Sequence, residues 1–202
     1  MKEIKPTTET MESDQDAKNQ TQVDESRRQF TKVSAIATSG VLITLASRPV
    51  LANQCSISGM QSGNTSHPGM VTCEGCTPGF YLNPNGRTRW SSYTPGNCVQ
   101  KHSGHGACEW DNSGTKFHSV FNGDLYGNLT MAEVIQLTGQ PGNDKYQLGA
   151  HAVASLLNAL RLPNFGYTSG DIITMWNTYY ASHPEQLKTT FQQLNERNNC
   201  PL

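Results

Sequence analysis

The residues best equipped for chemistry in this 202-residue chain are its cysteines and a nearby pair of histidines. Cys73 and Cys76 share the stretch Cys-Glu-Gly-Cys-Thr-Pro-Gly-Phe-Tyr, and Cys98 and Cys108 follow with His102 and His105 between them. Cys73, Cys76, Cys98 and Cys108 could ligate a tetrahedral zinc or an iron–sulfur cluster. His102-x-x-His105, close to Cys108 and Glu109, is a second candidate metal cluster. Gly104 and Gly106 make that stretch a loop, so no helical spacing prepositions the imidazoles, and a solvated pair is the plainer reading. A Cys-x-x-Cys pair can also be a redox dithiol, but such thiols are activated at a helix N-terminus. Pro78-Gly79 prevents a helix from running smoothly out of Cys76, and no parallel-sheet unit surrounds it.

What cysteine does depends on the compartment. Ser26-Arg27-Arg28-Gln29-Phe30-Thr31-Lys32 matches a twin-arginine export signal, carried by Arg27, Arg28, Phe30 and Lys32. An apolar stretch over 33–46 follows; at about 14 residues it is shorter than the roughly 20 that a membrane-spanning helix needs. Val50-Leu51-Ala52 then supplies the small-residue pattern of a cleavage site. Residues 1–25 are polar, with no apolar periodicity, and read as a disordered leader. The mature chain is expected to begin near Asn53, in the periplasm or outside the cell, with no stable membrane span after cleavage. During export its partner is the twin-arginine translocation machinery. All six cysteines lie beyond the cleavage site, and an even count in an oxidising compartment points to disulfides. Six cysteines allow 15 pairings, which spacing alone does not separate.

Charge excludes some partners. Seven basic and seven acidic residues precede Asn53, leaving eight and nine of the 15 and 16 in the whole chain. Neither sign dominates, so nothing points to a nucleic-acid groove or a polybasic membrane patch. Other reaction centres are also unsupported. No Gly-x-Ser-x-Gly elbow and no phosphate-binding glycine loop is present. Asp111, His118 and Ser119 are near in sequence, which does not make a triad in space. Carboxylates are few and scattered.

The elements that would position these groups fall into two regions. Residues 53–126 are rich in Gly, Pro, Ser and Asn, with turn signals at Pro68-Gly69, Pro78-Gly79, Asn83-Pro84-Asn85-Gly86, Pro95-Gly96 and Ser113-Gly114. No helical window is expected there, and an irregular segment anchored by its aromatics is. Trp90, Tyr93, Trp110 and Tyr126 could stack on sugar rings or a partner protein, but the narrow apolar stripes of the other half need covering, which favours a core role. Residues 127–202 read as four helices. Thr130-Met131-Ala132-Glu133 is a capping box that opens the first, with Val134, Ile135 and Leu137 inward and Gly139 as the stop. The second runs from about Lys145 to Arg161, with Val153, Leu156, Leu157 and Leu160 on one stripe, Ala150 and Ala154 allowing close approach, and Pro163 beyond its end. The third starts near Thr168 or Ser169 and is expected to bury Ile172, Ile173, Trp176 and Tyr180. The fourth opens at Ser182-His183-Pro184-Glu185, with Leu187, Phe191 and Leu194 inward, and frays at Asn198-Asn199. His151 lies beside the second stripe and reads as a hydrogen-bonded structural histidine.

Several pieces occur in fixed order: Cys76-Thr77-Pro78-Gly79-Phe80-Tyr81, Trp90-x-x-Tyr93-x-Pro95, Phe117-x-Ser119-Val120-Phe121, His151-x-Val153-Ala154-x-Leu156-Leu157-Asn158-Ala159 and Cys200-Pro201-Leu202. Over residues 73–202 the chain resembles an uncharacterised bacterial exported module with the pattern C-T-P-G-[YF]-W, W-x-x-Y-x-P, F-x-S-V-F, H-x-V-A-x-L-L-N-A and C-P-L. It departs from that pattern at Tyr81-Leu82-Asn83-Pro84, and the stretch between Pro95 and Phe117 looks longer than usual. The resemblance implies a secreted or surface building block and no mechanism. It also implies that Cys76 and Cys200 are framework cysteines that pair. Cys98 with Cys108, closing the inserted stretch, and Cys55 with Cys73 complete that expectation.

The expected architecture is mainly α: four short C-terminal helices packed against a loop-rich, disulfide-linked N-terminal segment, 53–202 forming one folded domain behind a leader and signal peptide over 1–52. The expected role is structural, adhesive or interaction, with a glycan or surface protein as partner, no evident catalytic activity and no cofactor. The alternative is a metal-binding or electron-transfer protein built on the cysteine cluster.

Overall fold

A computed structural model describes residues 55–57, 59, 72–101 and 108–202, with backbone only at 100, 101, 108, 109 and 144. The signal residues Arg27, Arg28, Phe30 and Lys32, the cleavage site, and His102 and His105 lie outside the described residues.

Four α-helices form the C-terminal half: α1 (Met131–Thr138), α2 (Gln147–Arg161), α3 (Ser169–Tyr179) and α4 (Pro184–Asn195). Their starts follow from local chemistry. Thr130 and Glu133 exchange side-chain and backbone bonds as a capping box, and Thr168 and Asp171 do the same for α3. Pro184 occupies the first turn of α4, where its missing N–H costs little. The second helix has no side-chain cap from its own N-cap residue, Tyr146, and is preceded by a 3-10 turn at Asp144–Tyr146. One of its free N-terminal donors is met from a distance: the Gly149 amide donates to the Tyr126 hydroxyl at 2.9 Å, which in turn donates to the Lys145 carbonyl at 3.1 Å. Burial pushes the Tyr126 phenol up to about 12, so it stays a hydroxyl.

The helices pack around α2, which contacts each of the other three. Expectation and structure differ here. A single stripe along α2 is expected, but every residue from Leu148 to Asn158 is buried. Gly149, Ala150, Ala152, Ala154 and Ser155 make the remaining faces thin enough for neighbours to close in, so α2 is a central helix enclosed on all sides. A Cβ on Gly149 would stand 2.4 Å from the Tyr126 ring. In α3 the buried set is Ile172, Met175 and Trp176, while Ile173 and Tyr180 are only partly covered.

The N-terminal half is loop-rich but more ordered than its turn signals imply. Short 3-10 helices occupy Pro78–Leu82, Gly86–Thr88 and Phe117–Ser119. Pro78 presets φ for the first of them, so a single turn forms where no longer helix can. Between Pro95 and Phe117, β1 (Cys98–Lys101) pairs antiparallel with β2 (Cys108–Trp110), with an irregularity between Cys98 and Gln100. The partly covered Asp111 carboxylate fastens the hairpin base. It accepts from the Asn97 amide (2.8 Å) and side chain (2.8 Å) and from the Ser113 amide (3.1 Å) and hydroxyl (2.5 Å). The Ser113 and Asn97 bonds hold this carboxyl well below the usual range. Phe117 and Met131 amides bond to the carbonyls of Leu129 and Thr115, joining this half to the start of α1.

The aromatics of the loops complete the core. Trp90, Trp110 and Tyr126 are 2 %, 7 % and 6 % exposed, so they are plugs and not stacking platforms, and Tyr93 packs partly buried against the same core. Phe117 stacks with Phe121 and meets Trp176 and Tyr126 edge-on, which accounts for the Phe-x-Ser-Val-Phe spacing.

Candidate functional site

The motif residues converge on one buried cluster between α2, α4 and the strand-like run before Pro78. Asn158 sits in the last turns of α2, fully buried. Its Oδ1 accepts from the Cys76 amide (3.2 Å) and the Tyr81 hydroxyl (2.6 Å). Its Nδ2 donates to the Cys76 carbonyl (2.9 Å) and to Asn195 Oδ1 (2.8 Å). The side-chain amide thus pairs with both backbone groups of Cys76, as one strand residue pairs with another. Asn195, on α4, also accepts from Ser155 (3.1 Å) and donates to the His151 carbonyl (2.9 Å). Trp90 closes the outer side, its indole N–H donating to the Tyr81 carbonyl at 3.0 Å. Burial pushes the Tyr81 phenol up, so it enters the network as a neutral donor.

His151 is 5 % exposed, and burial holds its ring below the ordinary 6.5. Glu196 opposes that shift and Lys188 reinforces it. The ring Nδ1 stands 3.4 Å from Asn195 Nδ2, so its close neighbour is an amide and not a nucleophile. A general base needs a substrate proton within reach; this ring is enclosed by its own helices.

Two disulfides flank the cluster. Cys76 bonds Cys200 across a separation of 124 residues, with Cα atoms 4.8 Å apart, and Cys55 bonds Cys73 with Cα atoms 5.3 Å apart. These are two of the three expected pairs. Cys98 is also disulfide-bonded; the side chain of its expected partner, Cys108, lies outside the described residues. Cys73 and Cys76 point to different sulfurs, and Cys98 is bonded too, so the three cannot ligate one zinc or iron–sulfur cluster. The same bonds remove the Cys73-x-x-Cys76 dithiol.

Sequence reading did not find the groups that seat these bridges. Asn198, at φ 56, reverses the chain after α4 and lets Asn199 accept from the Gly75 amide at 2.9 Å. A Cβ on Gly75 would lie 2.3 Å from the Leu194 carbonyl oxygen, so only glycine allows this approach. Arg197 turns inward: its guanidinium donates to the carbonyls of Phe165 (2.6 Å) and Cys55 and lies over the Phe165 ring. Burial pulls it down to about 10, still charged at neutral pH. The Glu74 carboxylate accepts from the Asn164 amide at 3.0 Å. Asn158 stands inside a quoted motif, yet its partners lie 82 and 77 positions away and leave no local signal.

Among the described residues no group of three or more His, Cys, Asp or Glu side chains converges, and no helix is long and apolar enough to cross a membrane. Comparison with protein-family models, curated proteins and solved structures finds no match to this chain. The resemblance given above therefore rests on the quoted motifs.

Proposed function

We propose that this chain is an exported, disulfide-framed structural or interaction module, acting in the periplasm or outside the cell without a reaction centre of its own. One observation carries the reading: the polar groups of its motifs are spent on each other and on the backbone. Asn158, Tyr81, Ser155, Asn195 and Trp90 all bond inward, and Cys76 is a bridge. A catalytic constellation instead leaves groups aimed at a place where a substrate can sit. Bridged cysteines suit an oxidising compartment, and Arg27, Arg28, Phe30 and Lys32 supply the address read by the twin-arginine machinery. A glycan or a surface protein is the partner class for such a module.

Fractionation tests the export half. Wild type is expected outside the cytoplasmic membrane with a new N-terminus near Asn53, and Arg27→Lys with Arg28→Lys is expected to leave the uncleaved chain inside. Equal distribution of both forms overturns it. A binding screen of the mature chain against glycans and surface proteins tests the interaction half, and turnover of a substrate by the pure protein contradicts the reading.

A further inference from the structure

We propose that the Asn158 clamp acts before oxidation and chooses which cysteines pair. This inference does not depend on the export reading. Cys73 and Cys76 are each other's nearest neighbours among the cysteines, so in an unfolded chain their loop is the easiest to close. The native pairs are the costly ones, with separations of 18 and 124 residues. Something in the fold must therefore forbid the local bond.

The backbone over 72–77 contains neither helix nor turn. A disulfide needs Cα atoms within about 7 Å, which residues i and i+3 reach only by turning. Besides its two bridges, backbone hydrogen bonds hold the straight run. The Glu74 amide donates to Asn164, the Gly75 amide to Asn199, and Cys76 is bonded through both its backbone groups to Asn158. The partner cysteines are seated in the same way: Arg197 holds the Cys55 carbonyl, and the Gly75 bond to Asn199 brings Cys200 alongside Cys76. Non-covalent contacts thus define both native pairs.

Oxidation then proceeds by exchange with a small-molecule or protein disulfide. Cys200 is exposed and Cys76 is fully buried, so the Cys200 thiolate attacks the acceptor first. One half of the acceptor leaves as a thiol and the other stays in a mixed disulfide. The Cys76 thiolate attacks the Cys200 sulfur and expels the second half as a thiol. Two protein thiols and one acceptor disulfide become one protein disulfide and two acceptor thiols, with protons conserved.

The test uses the full chain, reduced, then oxidised with oxidised glutathione and mapped by non-reducing peptide mass spectrometry. Wild type is expected to give Cys55–Cys73 and Cys76–Cys200. Asn158→Ala is expected to raise the Cys73–Cys76 bond by about tenfold or more, since even one of its lost bonds to a buried group is worth about that factor. Ile172→Ala, a core truncation in α3 away from the clamp, is expected to pair as wild type does. The inference is overturned if Asn158→Ala pairs natively, or if Ile172→Ala mispairs equally. A second measurement holds even if Asn158→Ala does not fold. Cys76→Ser with Cys200→Ser is expected to keep the near-ultraviolet dichroism of Trp90, Trp110 and Trp176 and a cooperative melt; a featureless spectrum overturns folding before oxidation.

Discussion

Replacing Asn158 by alanine is the sharpest perturbation of this fold that leaves its sulfur untouched. The wild-type side chain makes four hydrogen bonds in a fully buried place. Three groups lose their clamp partner: the Cys76 N–H, the Cys76 carbonyl and the Tyr81 hydroxyl. Asn195 Oδ1 still accepts from Ser155. Leaving a buried polar group unpaired costs about 1–3 kcal/mol. The sum is about 3–9 kcal/mol, less if a water enters the space left by the side chain. Against a domain stability of roughly 5–15 kcal/mol that is a large fraction. The assay is guanidinium unfolding followed by tryptophan fluorescence with disulfides intact. Tyr81→Phe, which removes one hydroxyl, is expected to cost about 1 kcal/mol, and the double variant less than the sum because both act on one network. A cost below about 1 kcal/mol for Asn158→Ala, with an unchanged denaturant slope, refutes the claim that this amide fastens the two halves.

Other perturbations probe the surroundings. Gly75→Ala puts a Cβ 2.3 Å from the Leu194 oxygen and is expected to cost about 2 kcal/mol or more, read as a lower midpoint of thermal unfolding. Cys76→Ser with Cys200→Ser is expected to lose about 5 kcal/mol and Cys55→Ser with Cys73→Ser about 3 kcal/mol, if each bridge acts by restricting the unfolded chain; denaturant midpoints in that order check it. Burial holds His151 below 6.5, so the unfolded chain takes the extra proton first. That contribution to stability is fully present above 6.5 and is lost as pH falls through the lower folded value. His151→Gln is expected to flatten the fall in unfolding midpoint below about pH 6.5.

The helices were legible because their signals are local. Thr130 with Glu133, and Pro184 in a first turn, mark starts that the structure keeps. The enclosure of α2 was only partly legible: Ala150 and Ala154 mark close approach, but Gly149, Ala152 and Ser155 are too small to announce burial by hydrophobicity. The Cys98–Trp110 hairpin was hidden by turn-rich composition, and the turns at Pro78 and Phe117 by their single-turn length. The cluster itself was half visible. Cys76 and Cys200 stood out through the resemblance, but Asn158, Asn195 and Arg197 did not. A polar residue inside an apolar helix carries no label for its partner, and theirs come from elements 32 to 142 positions away.

The central claim is that sulfur here supplies architecture. Thiol titration of the purified protein under denaturing, non-reducing conditions, paired with metal analysis of the same sample, tests it most directly. No free thiol and no stoichiometric metal is the expected result. Free thiols at Cys73, Cys76 and Cys98 recovered together with zinc or iron would contradict it.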